Sequence, residues 1–212
     1  MSEIKILCDN ERFVVCVKPK GVTSEDGKIQ GMPTLLQIGE IKPLVVHRLD
    51  KEVDGVMVFA KTSSVAADLS RQILDRRFEK EYIAVVSGEA LEYGVLEDLL
   101  YHDRAKNKTY TVKRERKGVK SAKLEYWRIG TALTDDGMVS LVRIKLHTGR
   151  THQIRVQFAS RKMPILGDRK YGSQVNCPVA LFSYRLKFFD GKNAVAFEDK
   201  PLNIFPWNLF NI

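Results

Sequence analysis

Cysteine is scarce in this 212-residue chain: Cys8, Cys16 and Cys177 are an odd number with no Cys-x-x-Cys spacing. That excludes a disulfide framework and a zinc knuckle, and it fits a reducing cytoplasm. No apolar run approaches the length needed to span a membrane. The opening MSEIKILCDNERF alternates polar and apolar residues too early for a signal peptide. The expectation is a soluble, untargeted, cytoplasmic protein with no membrane partner. Glycine signatures are missing too: there is no Walker-type loop, no Gly-x-Gly-x-x-Gly after a strand and no Gly-x-Ser-x-Gly elbow. Their absence weighs against nucleotide-hydrolysing, dehydrogenase and serine-hydrolase chemistry. Of the four histidines, His47, His102, His147 and His152, the last two are five residues apart, which does not place them on one helix face, and no Glu stands between them. No metal site is expected. No repeat, low-complexity tract or Gly/Ser/Pro-rich linker divides the chain, so residues 1–212 read as a single domain.

What the chain does have is core and positive charge. Hydrophobic residues make up 44%, enough to bury a real interior. Thirty-five Lys and Arg against 26 Asp and Glu give a net charge of +9, with pI near 9.4. A surplus of that size points to polyanions, although solubility alone can produce it.

ERFVVCVKPK (11–20) reads as a short buried strand closed by a Lys-Pro-Lys-Gly turn. Residues 22–40, rich in glycine and without periodicity, read as a mobile segment near a binding face. PLVV (43–46) and GVMVFA (55–60) read as strands on either side of HRLD. From Thr62 a helix is expected, with Val65, Leu69 and Ile73 on one stripe continued near Leu74 and Phe78, and cations Arg71, Arg76, Arg77 and Lys80 toward its end. EYIAVVSG (81–88) alternates as a strand, and SAKLEYWRI and MVSLVRIKLHT read as antiparallel strands. The most basic stretch is 103–123, with Tyr110 between Lys108 and Lys113. It suits RNA, and an exposed hairpin with a charged edge would read the same way.

HTGRTHQIRVQFASRKMPILGDRKYG (147–172) concentrates arginines and two histidines around a strand exit and a helix start. Thr151 is the expected N-cap, with Ile154 and Phe158 on the buried face and Arg155 anchored near the helix beginning. PILGD and the following YG read as a turn and a packed corner, structural more than chemical. The residues by themselves thus give a basic domain with an Asp in an Arg-rich cleft, and they do not choose a reaction.

HRLDKEVDGVMVFAKT (47–62) and LHTGRTHQIRV...PILGDRKYG together resemble the RluA-type pseudouridine synthases, whose usual forms are HRLDxxTSGLLLxAK and TGRTHQIRVH...PILGDxxYG. Order, spacing and the intervening FEKEYIAVVSG match from about Asn10 to Leu186. The resemblance implies an α+β fold with a mixed, mostly antiparallel β-sheet flanked by helices and loops, and a basic catalytic cleft across it. It implies an enzyme that isomerises chosen uridines in structured RNA, ribosomal or transfer RNA stem-loops, to pseudouridine. It further implies no cofactor and no metal, with RNA as the partner; a monomer is the expected working unit.

Carried over residue by residue, Asp50 is the catalytic aspartate, attacking the ribose or removing a proton from it. Arg155 pairs with it; at about 4 Å an arginine contributes on the order of 4 kcal/mol at an effective dielectric near 20, enough to keep the carboxylate charged. Tyr82 stacks on the uracil. Arg48 fills the gap left when the target nucleotide is flipped out. His47, Lys80, Arg150 and His152 are expected RNA contacts. Three departures stand out. Val53 and Asp54 occupy positions where the family usually has Thr and Ser, and Asp54 is expected to point away from Asp50. Gln157 replaces a frequent His. Residues 1–10 leave no room for the S4 RNA-binding module that the family often carries, so target choice is expected to lie in the catalytic domain or in the RNA fold.

Overall fold

A computed structural model of the protein describes residues 4–37 and 39–212. Contacts gather into two compact units, Met1–Glu81 with Phe182–Pro201 and Tyr82–Leu181 with Leu202–Ile212. The beginning of the MSEIKIL pattern lies outside the described residues.

The first unit is built on β1 (Ile6–Asp9), β2 (Phe13–Lys18), β3 (Leu44–Val45), β4 (Asp54–Ala60), β10 (Leu181–Phe189) and β11 (Ala194–Glu198). β2 lies antiparallel between β1 and β4, β11 pairs antiparallel with β10, and β4 pairs parallel with β10 through Phe182↔Asp54 and Ser183↔Gly55. β4 is buried on both faces from Gly55 to Ala60, which is why GVMVFA reads as a continuous apolar run instead of an alternation. Gly55 is required there: its φ is +126°, and a Cβ would run into the Ser183 backbone.

One face of β4 packs under α2 (Ser63–Leu74), with Val56, Val58 and Ala60 meeting Val65 and Leu69. The hydroxyl of Thr62 caps α2 by accepting from the Val65 N–H at 3.3 Å. The apolar stripe ends sooner than its sequence implies. Leu74 closes the helix fully exposed, and Phe78 is buried only after the chain turns at Arg76, φ +59°. Phe78 then stacks on Phe188 with centroids 5.3 Å apart, and Phe13 meets Phe188 edge-on at the same distance. Each such pair contributes about 0.5–1.5 kcal/mol beyond its burial.

Residues 22–40, read as a loop, contain a short regular element. They hold a short helix α1 (Met32–Leu35), and Met32 is completely buried.

The second unit receives the chain through β5 (Glu79–Ser87) and orders its other strands β9-β8-β6-β7, all antiparallel: β6 (Tyr93–Asp103), β7 (Lys108–Val112), β8 (Val119–Thr134) and β9 (Gly137–Leu146). α3 (Gln153–Ala159) covers this sheet, its Val156 meeting Leu100, Ala122 and Tyr171. With one parallel pair among the strand pairs described and few helices, the sheet is mixed and mostly antiparallel, as the family resemblance implies. No helix among the described residues is long and apolar enough to cross a membrane.

Candidate active site

Asp50 is half-buried in the loop between β3 and β4, and both of its neighbours are tied down. On one side the Ser24 hydroxyl accepts from the Leu49 N–H at 2.9 Å and donates to the Leu49 carbonyl at 2.8 Å. On the other, the Lys51 carbonyl accepts from the Gly21 N–H at 2.8 Å and from the Lys18 ammonium at 3.4 Å. Val53 N–H closes the turn onto the Asp50 carbonyl at 3.0 Å. The backbone on both sides of the carboxylate is therefore fixed by the 18–24 segment.

Lys18 is the residue that sequence reasoning missed here. A lysine at a strand end reads as solvated, yet this one is fully buried, and its ammonium also donates to Pro19 O at 2.9 Å and Val22 O at 2.8 Å. Burial pulls its pKa down to about 8, against the opposing pull of the Asp54, Asp50 and Glu52 carboxylates. Asp54, the departure from the family pattern, is half-buried and its pKa is raised by burial, while Lys20 and Lys18 act to lower it. The neighbouring Cys16 is no nucleophile, because burial pushes its thiol up to about 12.

The cations expected to meet RNA differ in placement. Arg48 is exposed and, among the described residues, makes an open pair with Glu25 at 3.4 Å. Lys80 is half-buried over the Phe78 ring at 5.9 Å, and desolvation lowers its pKa. It makes no ion pair among the described residues, an unusual position for an ammonium that burial already penalises. His47 departs from expectation. Its ring is buried against Phe78, and Nε2 accepts from the Val58 N–H at 3.1 Å, which locks the loop to β4 instead of presenting an imidazole to a phosphate. Burial, helped by the Lys80 charge, holds its pKa well below the usual histidine range.

In the second unit, Tyr82 is buried on β5. Arg155 is also buried, 4% exposed, and its Nε and Nη2 grip the two oxygens of Asp168 at 2.7 and 2.8 Å. Asp168 belongs to PILGD, the stretch read as merely structural. Gly167, at φ +75° and packed against the Cys177 and Pro178 carbonyls, turns the chain toward it. The available signal was an acid directly after a glycine turn in a segment dense with arginine. Tyr171 lies beneath the guanidinium at 5.2 Å, and its hydroxyl accepts from Thr109 N–H at 2.8 Å.

His152 lies 2.9 Å from that hydroxyl through Nδ1, buried, so its ring braces the Arg155 support and is not turned to solvent as a phosphate contact requires. It is also the N-cap position of α3, one residue beyond the expected Thr151. Among the described residues no side chain caps α3; Gln153 instead braces the turn that leads into it, its Oε1 accepting from Arg150 N–H at 3.0 Å and from the Thr148 hydroxyl at 2.8 Å. Arg150 is half-buried with its Nε donating to Ser121 O at 3.0 Å. Gln157, in place of the frequent His, is buried and donates to Leu96 O and to Asp98.

Comparison with known proteins meets this geometry from outside. Residues 12–160 match the family model described as RNA pseudouridylate synthase. The chain is 33% identical over 210 residues to the ribosomal large subunit pseudouridine synthase D of Borreliella burgdorferi, covering 90% of this chain and 63% of that protein. It is 31% identical over 174 residues to the ribosomal large subunit pseudouridine synthase C of Buchnera aphidicola, covering 79% and 53%. It thus spans between about half and two thirds of the length of these curated relatives. In fold it is similar to human RNA pseudouridylate synthase domain containing 1, with a TM-score of 0.82 at 19% identity over 95% of this chain and 84% of that one. Two long motifs in order, a clamped aspartate in the first and a buried arginine fork in the second, agree with the match over residues 12–160: this chain belongs to the RNA pseudouridylate synthase family, of the RluA type.

Proposed function

We propose that this protein isomerises uridine to pseudouridine in ribosomal RNA, working as one catalytic domain with a basic cleft. The observation that carries the reading is the double clamp on Asp50, Ser24 on Leu49 and Gly21 with Lys18 on Lys51, in a chain of this family. A catalytic group held by its neighbours' backbone needs little reorganisation when the substrate arrives.

In the reaction the bond between uracil N1 and ribose C1′ breaks, the base turns, and a bond forms between C5 and C1′. N1 gains a proton, and the proton on C5 is lost to solvent. Asp50 acts at the ribose as nucleophile or as base. Arg155, whose direction is fixed by Asp168, supplies positive charge to the reaction, and Tyr82 stacks on the uracil. Flipping the nucleotide out costs a few kcal/mol. Arg48 contributes to offsetting that cost, since its exposed pair with Glu25 holds it by no more than about 1 kcal/mol. Lys80, half-buried without a carboxylate partner, is the cation best placed to gain from a phosphate.

The test uses unmodified ribosomal RNA transcripts carrying tritium at uridine C5, incubated with the protein and with Asp50→Asn. Release of label to water by the wild type alone establishes the reaction and the role of Asp50. Binding to the transcripts without release by either protein overturns the reading in favour of a catalytically silent RNA-binding protein.

A further inference from the structure

The most basic stretch of the sequence touches the site described above only through Thr109, which donates to the Tyr171 hydroxyl, and Lys108, 5.5 Å from the Tyr171 ring centroid, among the described residues. Between Asp103 and Lys120 stand eight cations, Arg104, Lys106, Lys108, Lys113, Arg114, Arg116, Lys117 and Lys120, against two acids, Asp103 and Glu115. Eight less two is six, so eighteen residues carry six of the chain's nine net positive charges. All but the half-buried Lys108 are exposed.

Their concentration in one run without counter-charge sets them apart. Nearby cations of the same unit are neutralised: Lys123 by Glu97 at 2.7 Å, Arg128 by Glu89 at 2.7 Å and Arg161 by Asp98 at 2.9 Å. Among the described residues, none of the eight makes an ion pair. A run of like charge with no counter-charge stores repulsion that an external polyanion relieves.

Protection of a sheet edge is the competing explanation, since β7 pairs only with β6 among the described strands and edge strands commonly carry lysine. The distribution argues against it. Only Lys108 lies on β7; Arg104 and Lys106 sit in the turn before it, and Lys113, Arg114, Arg116 and Lys117 in the loop after it. Turns have no ladder groups to shield. Between the two clusters, Tyr110 projects from β7 with its ring 37% exposed and Lys108 5.8 Å from its centroid. Arg116 lies over the Tyr101 ring at 4.9 Å. β7 spans roughly 17 Å, so the two clusters can hold phosphates of one strand on either side of a base stacked on Tyr110.

We propose that the β6–β7 turn, Tyr110 and the 113–118 loop form an RNA-docking arm for a single-stranded segment flanking the modified stem-loop. Phosphate contacts from both clusters and stacking on Tyr110 are the two elements of sequence-tolerant single-strand binding. The arm extends the RNA reading given above and rests on it for its biological meaning, but it is tested separately. The probe is a fluorescein-labelled 20-nucleotide oligouridine, which has no stem-loop, read by anisotropy across a salt series with the full chain.

Each phosphate contact to a single strand contributes about 0.7 to the log–log salt slope. Joint replacement of Lys113, Arg114, Arg116 and Lys117 by Gln is expected to lower that slope by roughly 2 to 3 and to weaken binding at least tenfold at low salt. Tyr110→Ala is expected to weaken it about five- to tenfold with the slope unchanged. The control removes the same charge elsewhere, with Lys28, Arg76, Lys162 and Lys192, all exposed, replaced by Gln; its slope is expected to change by less than about 1. Equal losses in the two quadruple variants, or an unchanged slope in the first, overturn the arm. An unchanged affinity in Tyr110→Ala overturns its stacking role. Tritium release bears on none of these readings, so a failure of the isomerase reading and a failure of the arm are told apart.

Discussion

Each unit buries a basic side chain at the site, Lys18 under the Asp50 loop in the first and Arg155 in the second, and the two are held in opposite ways. Arg155 is gripped by a carboxylate through two parallel hydrogen bonds, whereas Lys18 is caged by three backbone carbonyls. A guanidinium on a carboxylate is fixed in direction and remains charged at any working pH. An ammonium among carbonyls keeps a net charge in the interior, and its pKa falls to about 8. The first arrangement suits a group that must aim charge. The second suits a group that ties a loop down, with its charge moderated by acids that belong to that loop.

The sharpest way to break this contrast is Asp168→Ala. It removes the carboxylate that grips the buried Arg155 and is expected to destabilise the protein by about 3–5 kcal/mol in urea unfolding. Asp168→Asn, which keeps one acceptor, should cost less. Lys18→Met is expected to act on the loop more than on the fold. Stability changes by less than about 2 kcal/mol, because a lost cage is offset by relief of a buried charge. Turnover falls about tenfold from a displaced Asp50, with KM for the RNA unchanged.

The same variant carries a pH signature. Lys18 has a folded pKa of about 8 and an unfolded value of 10.5, so between these pH values the unfolded chain binds the extra proton. Wild-type stability is therefore expected to gain from this residue as pH rises from about 8 to 10.5, and the gain should be absent from Lys18→Met. Asp54→Ser should sharpen the comparison further. Removing the carboxylate that most favours the Lys18 charge moves the start of that rise to lower pH, while turnover stays within about threefold. A large increase in activity would instead mean that Asp54 opposes Asp50 directly. His47 gives the smallest effect. Its folded pKa lies well below the unfolded 6.5, so its stabilisation is present above pH 6.5 and fades as the pH falls below it. His47→Gln should flatten that acid limb in thermal melts.

Which parts were legible in the sequence follows from the physics of each. β2, β4 and α2 announce themselves because burial on both faces or a four-residue stripe leaves a local pattern, and Thr62 is a cap in any context. β7 was legible only as one of two alternatives, an exposed hairpin with a charged edge, because the cations at its ends fit RNA equally well. Asp50 and Arg155 were found through motifs. Lys18 and Asp168 were overlooked for a shared reason: a lysine at a strand end and an aspartate at a turn are ordinary surface residues until the fold closes over them. The expected cap at Thr151 fails for another local reason: the chain enters α3 through His152 in the left-handed region, and no side chain among the described residues caps the helix. His47 and His152 carried the right motif and the wrong exposure, and no local pattern distinguishes a buried imidazole from a presented one.

The parallel pairing of β4 with β10 has a consequence for synthesis. The strand that completes the first unit is made only after the roughly 100 residues of Tyr82–Leu181 have left the ribosome. At about 5–20 residues per second that is a delay on the order of 5–20 s. During it β4 has β2 and β3 beside it but lacks the neighbour against which Gly55 is fitted, and the aromatic cluster of Phe13 and Phe78 lacks Phe188. The nascent chain thus holds an unfinished apolar sheet while the bulk of the second unit is already available to fold, which makes the interval before β10 emerges the period when a chaperone has most to cover.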